Sequence, residues 1–534
     1  MVTDTTTAEH QPFLSLWHGE RVDVVLAQLY SKLQPSDAEP FSVSVLAGAL
    51  VRGAPEVTVA MAVIDEHFQG RSLSRFITML DSTPPKVLGL SVPQGTLQLA
   101  TDVLKYCGTA QQMQSTRLLL GHEIPSRHPD LFQVLNPVSS VVRGWGDDVI
   151  VTAVRTLLRT DVSPPFVWDA RGPASASVPI RIGQSGEFSR RIEGSRGCAY
   201  GVCSFCARSW MTPRPVRFVS DLDRVEEQVA ALEGQGVTKV TFTDEDFCGG
   251  SNDEFARIVS MMSRHRLEYQ VAIRLETLLP TKEESWEGRL EFLRRARSSG
   301  LVDVFVGIES FVPSQERRYR KYRGGPSSRF TALNLLEQAG IGAEIGLIIF
   351  DPLVTPDEIR QSASVLLDRQ VYRFLGHPFG MIHLREGSAM SESRAVLPLR
   401  GAFLPNTLEW EYVFADPTAA CIHKACMSWW EPLEYACSLG RNFLRSWPYS
   451  NIGRQTVQLE IEAIRHNCAI VLRDACLERP EGPQVVNGSA MHRSVFGHLR
   501  TIRKLASTSG LFSTELLSEF DEAIRVADSL SSSP

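Results

Sequence analysis

The chain has 534 residues, 43% of them hydrophobic and 22% charged, and a net charge of −6. That length suffices for roughly two to four domains, each with its own core. A weakly acidic chain gives no reason to expect nucleic acid or an anionic membrane surface as a partner, and no apolar run approaches the ~18 residues that would cross a bilayer. The first twenty residues, with Asp4, Glu9 and His10 and no long apolar core, do not read as a secretory signal. Ten cysteines, three clustered and the rest scattered, suit a reducing compartment, so a cytoplasmic location is expected.

Residues 1–20 are polar and read as a disordered N-terminus. From Arg21 the pattern alternates. Apolar runs over Val22–Leu26, Val57–Ile64, Lys86–Val92, Arg117–Leu120 and Val141–Gly144 read as strands. Helical patterns over Phe41–Arg52, Leu73–Leu80, Leu97–Tyr106 and Asp148–Leu158 separate or follow them. Continuous apolar strands alternating with helices predict a doubly wound, Rossmann-like parallel sheet over 21–160, covered on both faces. Ligands on such sheets sit beyond the carboxyl ends of the strands. Those ends carry Ser91, Pro93, Gly121, His122 and Gly144, small or loop-forming residues over which a wide planar ligand could lie. Residues 161–190, with Pro164, Pro165, Gly172 and Pro173, lack periodicity and read as a linker.

A cysteine loop then opens a second alternating region. Ser220–Leu232 predicts an amphipathic helix, with Ser220 and Asp223 as a capping box. Strands are predicted over Val240–Thr243, Gln270–Leu275, Val302–Ile308, Glu344–Phe350 and Phe379–Leu384, with helices over Asp253–Met262, Leu290–Arg297 and Phe330–Ala339. Thr355-Pro356-Asp357-Glu358 is a strong helix start, with an N-cap Thr and Pro at the first helical position. About six βα units over 191–397 predict a partial (β/α)6 barrel, and residues 398–534 a helical C-terminal domain. Cys421, His423 and Cys426 could hint at a second metal site, but i and i+5 on a helix do not face one way.

The loop reads Gly194-Ser195-Arg196-Gly197-Cys198-Ala199-Tyr200-Gly201-Val202-Cys203-Ser204-Phe205-Cys206. Three thiolates leave one iron of a cubane cluster open to an external ligand. Closed structural zinc takes four ligands, and the next cysteine, Cys248, is about forty residues on. A chance group of buried cysteines is the remaining alternative. The cluster is the better reading.

The string RGCAYGVCSFC resembles the cluster-binding loop of radical S-adenosylmethionine (SAM) enzymes. Its first gap is four residues, where the commonest version has three; the cobalamin-linked branch of that superfamily includes longer gaps. The resemblance implies a [4Fe–4S] cluster on Cys198, Cys203 and Cys206, with SAM chelating the open iron. Asp244 and Glu245 fall where the family contacts SAM's amino group, and Arg274 is placed to pair with a carboxylate. Glu309 and Ser310 fall at the ribose or methionine end. Ile348, on the strand Gly346–Phe350, would pack on the adenine, and Phe205 would shield the cluster. The preceding domain resembles, in position and order, the cobalamin-binding domain of that branch. Asp65-Glu66-His67-Phe68-Gln69-Gly70 matches the string whose His ligates cobalt in many cobalamin proteins, yet it follows the second strand rather than the first. His67 is therefore read as a surface residue, and cobalamin as bound without it.

What the resemblance implies is a cobalamin-dependent radical SAM methyltransferase. It would move a methyl group from SAM through methylcobalamin to an unactivated carbon of a small biosynthetic substrate, using a 5′-deoxyadenosyl radical and an external flavodoxin- or ferredoxin-type electron donor. The alternative is a radical SAM enzyme that uses the same parts for a rearrangement, ring contraction or epimerisation. A non-catalytic electron carrier is the third reading, and the many polar groups at strand ends count against it.

Overall fold

The computed structural model describes residues 13–14, 16–31, 39–65, 72–159, 164–170, 179, 181–182, 190–207, 217–321, 324–446, 452–477, 488–510, 512 and 514–531. By contacts the chain forms two compact units. Met1–Arg196, Arg217–Thr243 and Phe403–Glu409 make the first; Gly197–Val216, Asp244–Ala402 and Trp410–Pro534 make the second.

In the first unit, strands β1 (Val24–Tyr30), β2 (Val59–Asp65), β3 (Val87–Ser91), β4 (Arg117–Gly121), β5 (Ser139–Arg143) and β6 (Val167–Asp169) form one sheet in the order β2-β1-β3-β4-β5-β6. Every pairing in it is parallel. All seven residues of β1 are buried, as a strand covered on both faces requires. Helices α1 (Phe41–Gly53) and α4 (Ile150–Leu157) supply the core of one face. On the other, α2 (Leu73–Ser82) and α3 (Leu97–Thr109) pack with Trp17, Phe76, Phe132 and Leu408. Strand order reverses between β1 and β3, which opens a crevice at their carboxyl ends. Strand β7 (Arg190–Ile192) and strand β8 (Lys239–Phe242) also pair in parallel, with α5 (Leu222–Glu233) between them in sequence.

Two sequence expectations change here. The stretch expected as a linker contains β6, because Ser139–Arg143 leaves an open edge that Val167, Trp168 and Asp169 pair in register. Three residues are too short for a period to show. The N-cap of α5 is Asp221, whose side chain accepts from the Asp223 N–H, so Ser220 does not cap it. His67 lies outside the described residues.

The second unit continues the alternation with α6 (Asn252–Met262), β9 (Glu268–Arg274), α7 (Trp286–Ser298), β10 (Leu301–Glu309), α8 (Pro313–Tyr319), α9 (Gly325–Ala339), β11 (Gly342–Leu347) and α10 (Pro356–Asp368). Strands β9, β10 and β11 are parallel and adjacent. Helix α9 ends at Gly340 with φ +71°, and α10 starts with the complete Thr355–Glu358 capping box. The strand expected over Phe379–Leu384 is only an isolated bridge between Phe350 and Met381. Pro378 cannot donate to a ladder. At Gly380 the backbone presses so closely on β11 that a Cβ would sit 1.8 Å from the Leu347 carbonyl oxygen. Helices α11 (Pro417–Ser446), α12 (Ile452–Leu477), α13 (Gly488–Ser509) and α14 (Thr514–Ser531) then form the helical region. Trp429 and Trp430 are core there, edge-on to Phe379. Cys421 is exposed and Cys426 buried, so α11 points them apart; His423 lies 3.0 Å from Met381 Sδ instead.

Candidate active site

The cysteine loop begins at Gly197 and turns through Gly201, with φ of +83° and +53°, backbone that L side chains enter only with strain. Those turns bring the three cysteines together: Cys203 feels the charge of both Cys198 and Cys206. Burial pushes the Cys203 thiol up to about 11, with Lys321 acting against that rise. Burial also raises Cys198, although the Gly201 and Tyr200 N–H groups donate to its sulfur. Burial thus favours the protonated form of these two thiols, and a bound cation would reverse that. Among the described residues no three His, Cys, Asp or Glu side chains are grouped to hold a single ion. Three thiolates are the donor set that leaves one iron of a cubane open.

Acidic residues follow β8. Asp244 is buried, and Glu245 Oε2 accepts from the Gly197 N–H at 2.5 Å, holding the mouth of the cysteine loop. Asp246 is the acid that meets Arg274: its Oδ2 lies 2.9 Å from Arg274 Nε and 3.5 Å from Cys198 Sγ. The Arg274 guanidinium also donates to the Gly249 carbonyl at 3.0 Å and lies over the Tyr200 ring at 5.4 Å. Arg274 thus pairs with a carboxylate of this chain.

At the end of β10 the register with β11 slips between Gly307 and Glu309, and Glu309 adopts φ +66°. Strain of this kind collects at functional sites. It aims the Glu309 carboxylate at Lys321 Nζ, 3.4 Å away. A Cβ on Gly307 would come within 3.0 Å of both groups, so glycine there leaves room for the pair. Burial raises the Glu309 carboxyl, and Lys321 opposes that. Burial works against the Lys321 ammonium, yet Glu309, Cys203 and Glu276 together raise it. Ser310 is spent locally: its hydroxyl donates to Gln315 Oε1 at 2.7 Å and accepts from the Val312 N–H. Ile348 gives its N–H to the Glu309 carbonyl at 2.7 Å, and its side chain joins an apolar cluster with Phe205, Tyr319, Ile382 and Met390.

Sequence reasoning missed Asp246 and Lys321. Asp246 stands one position past Asp244 and Glu245, the two acids chosen. Lys321 is hidden in Arg317-Arg318-Tyr319-Arg320-Lys321, a run that reads as solvated basic surface.

In the first unit, Ser91 and Gly121 end β3 and β4 side by side. His122 takes φ +83° and Gly144 φ +90° just beyond β4 and β5. Ser91 Oγ is buried without a hydrogen-bond partner among the described residues, as are Ser31 Oγ, one residue past β1, and Gln94 Nε2, three past β3. A buried polar atom without a partner costs about 1–3 kcal/mol. Three of them flank the crevice between β1 and β3. Pro93 lies in the same loop, whose Gly95 N–H donates to the Asn406 carbonyl at 2.7 Å.

Residues 192–366 match the family model of the Radical SAM superfamily. This stretch is a radical SAM domain. Such domains are built on a [4Fe–4S] cluster and SAM. A 4′-phospho-dehydrooxetanocin synthase of Priestia megaterium is 26% identical over 336 residues, 56% of this chain and 44% of that protein. The chain therefore spans less than half the length of that curated relative. The cobalamin-dependent SAM radical enzyme OxsB, with aqua-cobalamin and SAM bound, superposes on 96% of this chain and 85% of its own, with a TM-score of 0.63 at 18% identity. The radical SAM methyltransferase TsrM from Kitasatospora setae, with cobalamin and a [4Fe–4S] cluster bound, covers 69% of this chain and 74% of its own at a TM-score of 0.53 and 16% identity. The chain shares the fold of both.

Proposed function

We propose that this protein binds cobalamin in its first unit, in addition to carrying a radical SAM domain, and uses the two cofactors on an unactivated carbon of a small-molecule substrate. The observation that carries the cobalamin half is the set of partnerless buried atoms, Ser31 Oγ, Ser91 Oγ and Gln94 Nε2, at the β1/β3 crevice. This is where an open parallel sheet takes its ligand, and cobalamin's amide-fringed ring could satisfy all three. When bound, the cluster and SAM supply a 5′-deoxyadenosyl radical, and cobalamin supplies a one-carbon or one-electron carrier. The chain's own part is positional. Cys198, Cys203 and Cys206 hold the irons, and Glu245 fixes the loop through the Gly197 N–H. Lys321 and Glu309 set the charge beside Cys203, and Phe205 with Ile348 keeps water from the cluster. An external low-potential protein would deliver the electron.

Two outcomes can follow hydrogen abstraction. Methyl transfer to carbon is the reading made from sequence, and TsrM, a methyltransferase by name, shares the fold. A non-methylating conversion has the broader support. The sequence relative is named a synthase, and the neighbour that aligns with 96% of the chain is described as a SAM radical enzyme, without mention of methyl transfer. We place the non-methylating outcome first. The test is product analysis with enzyme loaded anaerobically with iron, sulfide and cobalamin, given a small-molecule substrate, a reductant and SAM bearing a deuterated methyl group. The expected result is 5′-deoxyadenosine without matching S-adenosylhomocysteine. Both products in equal amounts, with the label on carbon, would restore methyl transfer, and neither product would leave only electron carriage.

A further inference from the structure

The cysteine loop hangs on the end of one short helix. An α-helix leaves its last carbonyls without partners inside the helix, and α8 gives those carbonyls to the loop. Ser204 Oγ donates to the Arg318 carbonyl at 2.7 Å, the Ser204 N–H to the Tyr319 carbonyl at 2.9 Å, and Tyr200 Oη to the Arg320 carbonyl at 2.8 Å. The Phe205 ring stands edge-on to Tyr319, 6.0 Å between centroids. The bonds come from two loop residues, one on each side of Cys203.

The helix end is itself fixed by a buried ionic group. Arg318 donates to Asp351 through Nε at 3.1 Å and a terminal nitrogen at 2.7 Å. It reaches Glu358 at 3.2 and 2.9 Å. Tyr319 Oη donates to the same Asp351 oxygen at 2.6 Å, and Ser314 Oγ donates to Glu358. Asp351 is fully buried, and its other oxygen takes the Leu353 N–H at 2.8 Å. Glu358 also closes the capping box of α10. One arginine is thus held between an acid just past β11 and an acid in the first turn of α10. Burying three charges costs solvation that apolar packing would not, and the group contributes no side chain to the loop's cysteines.

We propose that Arg318, Asp351, Glu358 and Tyr319 are positioning residues that set the register of the cysteine loop on the α8 carbonyls, so that Cys203 and Cys206 are placed before iron arrives. The proposal rests on the reading of those cysteines as iron ligands. Preorganisation of this kind lowers the entropy cost of assembling a multidentate site. The order of dependence runs from acids to arginine, from arginine and tyrosine to helix end, and from helix end to loop.

The experiment is amide hydrogen exchange on the cluster-free full-length chain, comparing wild type with Tyr319→Phe and Asp351→Asn, followed by electron paramagnetic resonance of the reconstituted, reduced proteins with and without SAM. Tyr319→Phe keeps the ring against Phe205 and loses one hydroxyl, so it decides the matter if Asp351→Asn fails to fold. The expected result is exchange about fivefold faster or more at Ser204 and Cys206, the factor that one lost hydrogen bond of about 1 kcal/mol gives, with no change in β9. The reduced cluster's signal should broaden, and its response to SAM should shrink. Unchanged exchange across 198–206 would overturn the proposal, and so would an equal rise throughout the unit, which marks a purely structural role. Retention of a full cluster by a Cys203→Ala protein would instead sink the iron-ligand reading itself. The exchange measurement uses no cobalamin and no turnover, so the two failures are distinguishable.

Discussion

Three thiols on a glycine-turned loop make the sharpest commitment. Substituting Cys198, Cys203 or Cys206 by Ala should each abolish the brown absorbance and lower iron from about four per chain toward zero, measured by anaerobic reconstitution. Cys248→Ala and Cys421→Ala should leave it. Cys248 is fully buried beside Tyr269, and Cys421 is exposed on α11. A full cluster in any of the three variants would refute the assignment. The cysteines could be found from the sequence because their chemistry is local: spacing and glycines lie within one loop. The acids and bases around them were harder. Arg274 was picked as a carboxylate partner, but which carboxylate depends on the turn after β8, where Cys248 and Gly249 adopt φ of +62° and +54°. No pattern in the string Asp244-Glu245-Asp246 announces that turn. Ser310 shows the opposite error. A serine at a strand end looks ready for a ligand, and the structure spends its hydroxyl on Gln315.

Elements with strong periodicity and caps were legible. The α10 start and the Gly340 stop of α9 follow from residue chemistry within a few positions. Short pieces were not. β6 is made a strand by its neighbour, and Phe379–Leu384 is denied strand pairing by Pro378 and by the close approach at Gly380. The segment Phe403–Glu409 was assigned by chain order to the C-terminal domain, yet it packs in the first unit. There Leu408 is fully buried, Phe403 lies 5.5 Å from His128, and Asn406 Oδ1 accepts the Leu97 N–H at 2.9 Å at the start of α3. Thr96, the N-cap position, makes no side-chain cap of its own, so Asn406 supplies from 309 residues away the acceptor that a local cap would. Asn406→Ala should lower the stability of the first unit by about 1 kcal/mol, as loss of an N-cap does. Chemical denaturation followed by a probe in that unit would read it, and an unchanged midpoint would show that water replaces the amide at no cost.

At the scale of the whole chain, each compact unit has its own core, and the two expected cofactors should load independently. The parallel sheet was predictable because its strands are apolar along their whole length. Its ligand edge was predictable only as a place. Strand order 2-1-3-4-5-6 puts the reversal between β1 and β3, so Ser31 and Gln94 join Ser91 there, although Ser31 was not chosen from sequence. Gly144 was, and its φ of +90° and tight approach to Ala170 explain why glycine stands there. If cobalamin lies over that crevice, its support is polar contact from strand tips and no histidine on cobalt. Ser91→Leu replaces a buried hydroxyl by a bulkier apolar side chain and should lower cobalamin affinity at least tenfold. The lost hydroxyl contact of about 1 kcal/mol gives about fivefold, and the clash of the bulkier side chain supplies the rest. Iron content should stay at the wild-type level. Cys203→Ala should do the reverse, keeping the cobalamin spectrum while losing iron. His67→Ala should leave both, and the paramagnetic resonance of bound cob(II)alamin should show no coupling to a protein nitrogen. Loss of cobalamin binding in His67→Ala, with Ser91→Leu still binding normally, would move the ligand away from the β1/β3 crevice and overturn this account of the first unit.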